Sequence, residues 1–177
     1  MEKLEKSKEA ILKKAEELAT KYEKRYKGCA QCTFLAIVDS LRWGGIELLP
    51  VSMEEKFYPA VSMLTAGGCM TGEGTCGAVA SSIMTFGLAS GTSKDSSDVA
   101  ATRQAAEIIR NKILEVYLNK YHSILCKDIQ RKYFGKAWNL ADNEMAHEFL
   151  GITKGCIISE AASLAVKCIL DEIERGK

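Results

Sequence analysis

The sequence predicts an all-α protein, a single-domain helical bundle of about six or seven helices with a glycine-rich loop. Three observations indicate this class: apolar residues recur at helical spacing, no β-type alternation of useful length occurs, and only two prolines interrupt 177 residues. A chain of this length fits one domain. We therefore expect one domain over residues 1–177, with a charged N-terminal helix (1–27) and a cysteine-bearing core (28–174).

Apolar stripes predict the first helices. Residues 2–27 are mostly charged but carry one stripe at helical spacing, made of Leu4, Ile11, Ala15, Leu18 and Tyr22. The second helix runs from Cys29 to Trp43, and the glycine pair at 44–45 ends it. A third helix is predicted over 53–66, where Pro59 weakens it.

A glycine-rich loop then interrupts the helical pattern. Seven of the 14 glycines lie in residues 67–91, and such a stretch admits close approach of backbone. The loop leads into a fourth helix over 76–88, which is rich in small residues. After a polar loop at 90–98, helices are predicted over 98–120, 123–135 and 156–174, with a shorter one over 139–150.

Composition excludes several classes of protein. The chain is 47% hydrophobic and 27% charged, which is ordinary for a globular protein and excludes a disordered chain. A net charge of +1 gives no indication of a nucleic-acid partner. No apolar run reaches the roughly 18 residues of a membrane span. The charged N-terminus predicts no secretory signal, so we expect a cytoplasmic, reduced protein whose seven cysteines do not all pair.

Four of the seven cysteines fall in the first turn of a predicted helix, namely Cys29, Cys76, Cys126 and Cys156. A helix N-terminus presents free N–H donors and a partial positive charge, and both favour thiolate over thiol. Four such cysteines on four helices predict helix starts that converge on one anionic, sulfur-rich site. Cys168 instead continues the buried stripe of the last helix, so we expect it to be a packing residue.

Other local patterns leave alternatives open. Residues 29–32 form a CxxC motif, which is typical of a thioredoxin-like redox pair or of half a zinc site, although the sequence lacks the βαβ context and the second ligand pair. Thr33 follows Cys32, so covalent haem attachment is not expected. Of the two histidines, His122 is the better ligand candidate because it precedes Cys126 by four residues, but for both it and His147 a surface role is more common.

Several segments together resemble one family. They are GCAQ (28–31), GGCMTGEGTCGA (67–78) and IMTFGLASG (83–91), followed by the single cysteines at 126 and 156. The pattern resembles the C_GCAxxG_C_C family of small, helical redox-active proteins, common in anaerobes, over about residues 15–172. The resemblance also implies a distant relation to a split-Soret-type cytochrome that has an iron–sulfur site. The resemblance implies that the family's four cysteines are Cys29, Cys76, Cys126 and Cys156. Ser81 replaces a family glycine.

These observations predict a redox or electron-transfer protein that binds an iron–sulfur cluster, [2Fe–2S] or [4Fe–4S], through Cys29, Cys76, Cys126 and Cys156. Cys32 and Cys69 occupy positions where the family usually has other residues, and these two extra thiols are further ligand candidates that would enlarge the metal site. One alternative is a metal-free thiol–disulfide oxidoreductase in which Cys29 attacks and Cys32 resolves. Another is a structural zinc domain. We expect an electron-transfer partner protein; whether the chain is an enzyme or forms a homodimer stays open.

Overall fold

A computed structural model describes residues 4–91, 94–96, 98–152 and 157–175. Within these ranges it contains helices and no β-strand, which confirms the all-α prediction. The helices are α1 (Lys8–Tyr26), α2 (Cys29–Trp43), α3 (Val51–Ser62), α4 (Gly77–Ser90), α5 (Val99–Ile109), α6 (Glu115–Tyr121), α7 (Cys126–Phe134), α8 (Asn143–Ile152) and α9 (Ile158–Arg175). A π-helical turn (Arg110–Leu114) joins α5 and α6 into one run. The number of helices in the described ranges is therefore slightly larger than the six or seven predicted.

Local capping explains where these helices begin and end. The Ser7 hydroxyl accepts a hydrogen bond from the N–H of Ala10 at 3.2 Å, so α1 begins after the first charged residues. Asp98 caps α5 in the same way through the N–H of Ala101. The second helix has the predicted bounds. The third runs from Val51 to Ser62, so it begins and ends earlier than predicted, and turns with i→i−3 hydrogen bonds replace it from Met63 onward.

Four helices, α1, α2, α4 and α9, pack against one another as the central bundle. Their fully buried side chains include Ile11, Ala15, Ala36, Ile37, Leu41, Val79, Phe86, Ala162, Ala165 and Ile169. Small residues on α4 and α9 allow close packing, and the Ser82 hydroxyl reaches the carbonyl of Ala161 at 3.3 Å. Ser81 is fully buried and donates to the carbonyl of Ala30 at 2.9 Å. The residue that departs from the family pattern therefore ties α4 to α2.

The remaining helices surround this bundle and shape one end of it. The α5–α6 run lies against α4 and α9, α3 packs on α2, and α7 contacts α6. The rings of Phe134 at the end of α7, Trp138 in the following loop and Phe149 in α8 pack together with centroids 5.2–5.8 Å apart. This aromatic cluster covers the bundle end at which α1 ends and α2, α4 and α9 begin. No described helix has the length and apolar character that crossing a membrane requires.

Candidate functional site

A cavity of about 570 Å³ lies at this end of the bundle. Among the residues that the structure describes, three cysteines line it: Cys29, Cys76 and Cys126. The rest of its wall is largely apolar and includes Ala66, Met70, Ile129, Leu140, Ala146, Phe149, Leu150, Ile157 and Ile158. The fold therefore gathers three of the four cysteines predicted at helix starts around one space, in the size range of ligand-binding sites.

The cysteines of the cavity do lie at helix starts. Cys29 is the first residue of α2, Cys76 is the N-cap of α4, and Cys126 is the first residue of α7. Cys156 lies outside the described residues. The cavity-lining Leu150 and Ile157 lie on either side of it in the chain.

Backbone pairing between two distant segments brings Cys76 and Cys126 to one wall. The N–H of Cys76 donates to the carbonyl of Ile124 at 2.8 Å, and the N–H of Cys126 donates to the carbonyl of Gly74 at 3.0 Å. The glycine-rich loop thus runs antiparallel to the segment that precedes α7. The pairing joins the N-terminal and C-terminal halves of the chain at the site itself.

The start of the glycine-rich loop is a left-handed turn. Residues 66–70 all have positive φ, between 49° and 82°. At Gly67, where φ is 79°, a Cβ atom would lie 2.9 Å from the backbone carbon of Gly72, so a side chain is excluded there on two grounds. The N–H of Ala66, the first residue of this turn, is one of the groups that lower the pKa of the Cys29 thiol.

Cys29 carries an activated thiol, in contrast to Cys126. Its sulfur accepts a hydrogen bond from the thiol of Cys76 and further hydrogen bonds from the main-chain N–H groups of Ala66, Gly77 and Ala30. These donors outweigh the effect of burial and lower the pKa of the Cys29 thiol to about 6. The lowered pKa favours the Cys29 thiolate at neutral pH, and the thiolate is the form that attacks disulfides and binds metals.

Gly77 allows this arrangement because it has no side chain. A Cβ atom there would lie 2.7 Å from the sulfur of Cys29 and 2.9 Å from the carbonyl oxygen of Leu64. Both distances are shorter than van der Waals contact. The glycine after Cys76 is thus what lets the start of α4 approach the Cys29 thiolate.

Cys126 is held differently. Its own N–H and that of Lys127 donate to the carbonyls of Gly74 and Gly72, each at 3.0 Å. The donor to its sulfur is a side chain, the Gln130 amide, at 3.2 Å. Burial, with a smaller contribution from the Cys29 charge, raises the pKa of the Cys126 thiol to about 11. Cys126 is therefore protonated unless a bound cation replaces its proton.

The second cysteine of the CxxC motif lies elsewhere. Cys32 is fully buried within the bundle and is not among the described residues that line the cavity. Burial above all, and then the charges of Cys29 and Glu23, raise the pKa of its thiol to about 12. The thiol in contact with Cys29 is that of Cys76, which local spacing in the sequence did not indicate.

The other predicted ligand candidates are spread over the molecule. Cys69 is exposed in the left-handed turn, and both His122 and His147 are exposed. Cys168 is 3% exposed and packs in the core from α9, as predicted. Within the described ranges, no three Cys, His, Asp or Glu side chains are grouped closely enough to hold a single metal ion. From the sequence, Gln130 was not identified as a residue of the site. Its position one helical turn after Cys126 indicates that the two side chains can contact each other.

Comparison with known proteins is consistent with this site. Residues 28–167 match the family described as "Putative redox-active protein (C_GCAxxG_C_C)", whose description assigns a redox role. No curated protein and no solved structure matches the chain. The matched region includes all the cysteines of the cavity and most of the chain. The chain therefore belongs to the C_GCAxxG_C_C family of redox-active proteins.

Proposed function

We propose that this protein carries electrons through an iron–sulfur cluster held in the cavity, with Cys29, Cys76, Cys126 and Cys156 as ligands. The observation that carries the proposal is the convergence of three cysteines, from α2, α4 and α7, on one largely apolar cavity. Four thiolates complete the ligand set of a two-iron or four-iron cluster. Cys156 is the remaining cysteine of the family pattern, so we propose it as the fourth ligand.

The surroundings of the sulfurs fit such a group. Main-chain N–H groups donate to Cys29, and the Gln130 amide donates to Cys126. Hydrogen bonds of this kind stabilise ligating sulfurs and tune a cluster's potential. The apolar side chains of the wall limit access of water. When bound, the cluster supplies one-electron chemistry, and the chain holds it, donates hydrogen bonds and shields it.

The charge state of the thiols supports the same proposal. Cys29 carries negative charge at neutral pH, and the nearby Cys126 is kept protonated by burial and by that charge. Iron bound at this position would offset the repulsion, and Cys126 would act as a ligand by giving up its proton. We also propose that the partner is an electron-transfer protein, because a site that carries one electron needs a second carrier. We propose the cytoplasm as the location, because free thiols persist in a reducing compartment.

A second candidate function follows from the contact between Cys29 and Cys76. In it, the Cys29 thiolate attacks one sulfur of a substrate disulfide and expels the other sulfur as a thiolate. Cys76 then loses its proton and attacks the Cys29 sulfur, which expels the second substrate thiolate and leaves a Cys29–Cys76 disulfide. The substrate gains the two electrons that the protein loses. Cys76 takes the resolving role that the CxxC motif predicted for Cys32.

Anaerobic purification with iron, sulfide and zinc analysis tests the proposal. We expect a brown protein whose iron content falls by more than half when Ser replaces Cys29, Cys76, Cys126 or Cys156. Cys168→Ser is the matched control, because Cys168 is a buried cysteine outside the cavity, and it should keep wild-type iron. A colourless, metal-free protein that forms a Cys29–Cys76 disulfide with a small disulfide substrate would support the second function. Zinc in place of iron would support a structural zinc site.

A further inference from the structure

Gln130 is a buried amide with both ends engaged. It is 2% exposed and lies on α7, one turn after Cys126. Its Nε2 donates to the Cys126 sulfur at 3.2 Å, and its Oε1 accepts the main-chain N–H of Trp138 at 2.9 Å. Because the N–H of Trp138 requires an acceptor, it holds the amide with its oxygen toward Trp138 and its NH₂ group toward the sulfur.

Main-chain donors around Cys126 are already used. The N–H groups of Cys126 and Lys127 donate to loop carbonyls, and those of Asp128 and Ile129 donate to the carbonyl of Leu125 at 3.2 and 3.1 Å. The sulfur at the start of α7 therefore does not depend on the free N–H groups of that helix. Cys29, by contrast, accepts from three main-chain N–H groups. A side-chain amide takes the place of those main-chain donors at Cys126.

We propose that Gln130 is a positioning residue that raises the reduction potential of the cluster through its hydrogen bond to the Cys126 sulfur. The inference rests on the proposed iron–sulfur function. Reduction adds negative charge to the cluster and its sulfurs, so an N–H donor stabilises the reduced state more than the oxidised state. If the amide rotated away from the sulfur, the Trp138 N–H would lose its acceptor. The donor is therefore preorganised.

Two substitutions at this residue test the inference by redox titration of the loaded protein. Gln130→Met keeps the side-chain length and removes both the donor to the sulfur and the acceptor for Trp138, without adding charge. At a pH high enough to ionise the buried carboxyl, Gln130→Glu keeps the acceptor for Trp138 while it removes the donor and adds negative charge beside the sulfur. We expect Q130M to shift the reduction equilibrium about tenfold toward the oxidised state, about 59 mV for a one-electron couple. Q130E should shift it further in the same direction.

Gln104→Glu is the matched control, because it adds the same charge at an exposed position on α5. Its shift should be less than twofold. Equal potentials in wild type, Q130M and Q130E, with the cluster bound, would overturn the role of Gln130 and leave the proposed function standing. If circular dichroism shows that Q130M does not fold, the reduction potential of Q130E tests the inference instead. A change in potential no larger than that of Q104E would overturn the role of Gln130. A wild-type protein without iron overturns both.

Discussion

Gly77→Ala adds one methyl group at the point where α4 meets the Cys29 sulfur. The new Cβ would lie 2.7 Å from that sulfur, 2.9 Å from the carbonyl oxygen of Leu64 and 3.1 Å from the Cβ of Ala30. The sulfur can move by rotation about χ1, but the Leu64 carbonyl belongs to the backbone and cannot. We therefore expect the start of α4 to shift away from Cys29 and to weaken the hydrogen bond from the Gly77 N–H.

The size of the effect follows from two opposing contributions. Overpacking a tight site costs about 1–3 kcal/mol. Alanine gains about 0.5–1 kcal/mol over glycine inside a helix. The expected net loss in the free energy of unfolding is about 1–2 kcal/mol, and the pKa of the Cys29 thiol should rise because one N–H donor is weakened.

Urea unfolding of the metal-free protein measures the first effect, and the pH dependence of Cys29 alkylation measures the second. Gly87→Ala is the matched control, since Gly87 lies in the same helix and a Cβ there meets nothing within 4 Å. It should stabilise the protein by about 0.5–1 kcal/mol. If G77A were as stable as G87A and left Cys29 reactivity unchanged, the close approach of α4 to the sulfur would have no energetic consequence, and the explanation of this glycine would be wrong.

Two further predictions concern single thiols. Cys168→Ala should cost about 1–2 kcal/mol in urea unfolding, because it removes one small buried group, and should leave iron content unchanged; loss of iron would contradict its packing role. Alkylation of Cys29 in metal-free protein, followed by peptide mass mapping, should have its midpoint near pH 6, because hydrogen bonds from Cys76 and three main-chain N–H groups lower the pKa. Because the pKa of the Cys29 thiol is lower in the folded protein than in the unfolded chain, this group adds to the free energy of unfolding. The contribution is complete above about pH 8.5, the usual thiol pKa, and is lost as the pH falls through 6. An alkylation midpoint near pH 8.5, about the usual thiol pKa, would contradict the lowered pKa of Cys29.

Much of the fold could be predicted because its signals are local. The bounds of α2 match the prediction since glycines lie directly before and after it. The start of α1 was placed too early because charged residues at helical spacing extend beyond the cap, and Ser7 is the residue that caps it. The short α8 was predicted only as an addition, and it accounts for the larger helix count.

The site was only partly predictable because its decisive contacts are long-range. The helix-start pattern identified Cys29, Cys76 and Cys126, and spacing within α2 pointed to Cys32 as the redox partner of Cys29. Cys32 instead packs in the core, while Cys76 reaches Cys29 through the left-handed turn and the pairing of the loop with the segment before α7. Neither a left-handed turn at Ala66 nor pairing across some 50 residues leaves a periodic trace in the sequence.

The two ends of the site also differ in how they stabilise sulfur, and this difference links the site to folding. At Cys29, N–H groups from α2, the loop and α4 lower the pKa of one thiol, so the lowered pKa requires that these three segments be assembled. At Cys126, the donor is Gln130 within the same helix, and the thiol keeps its proton. Under the proposed function, metal binding draws a preformed thiolate of the N-terminal half and a protonated thiol of the C-terminal half to one group. Binding free energy at such a site adds to the stability of the fold and releases protons, so it weakens as the solution becomes more acidic.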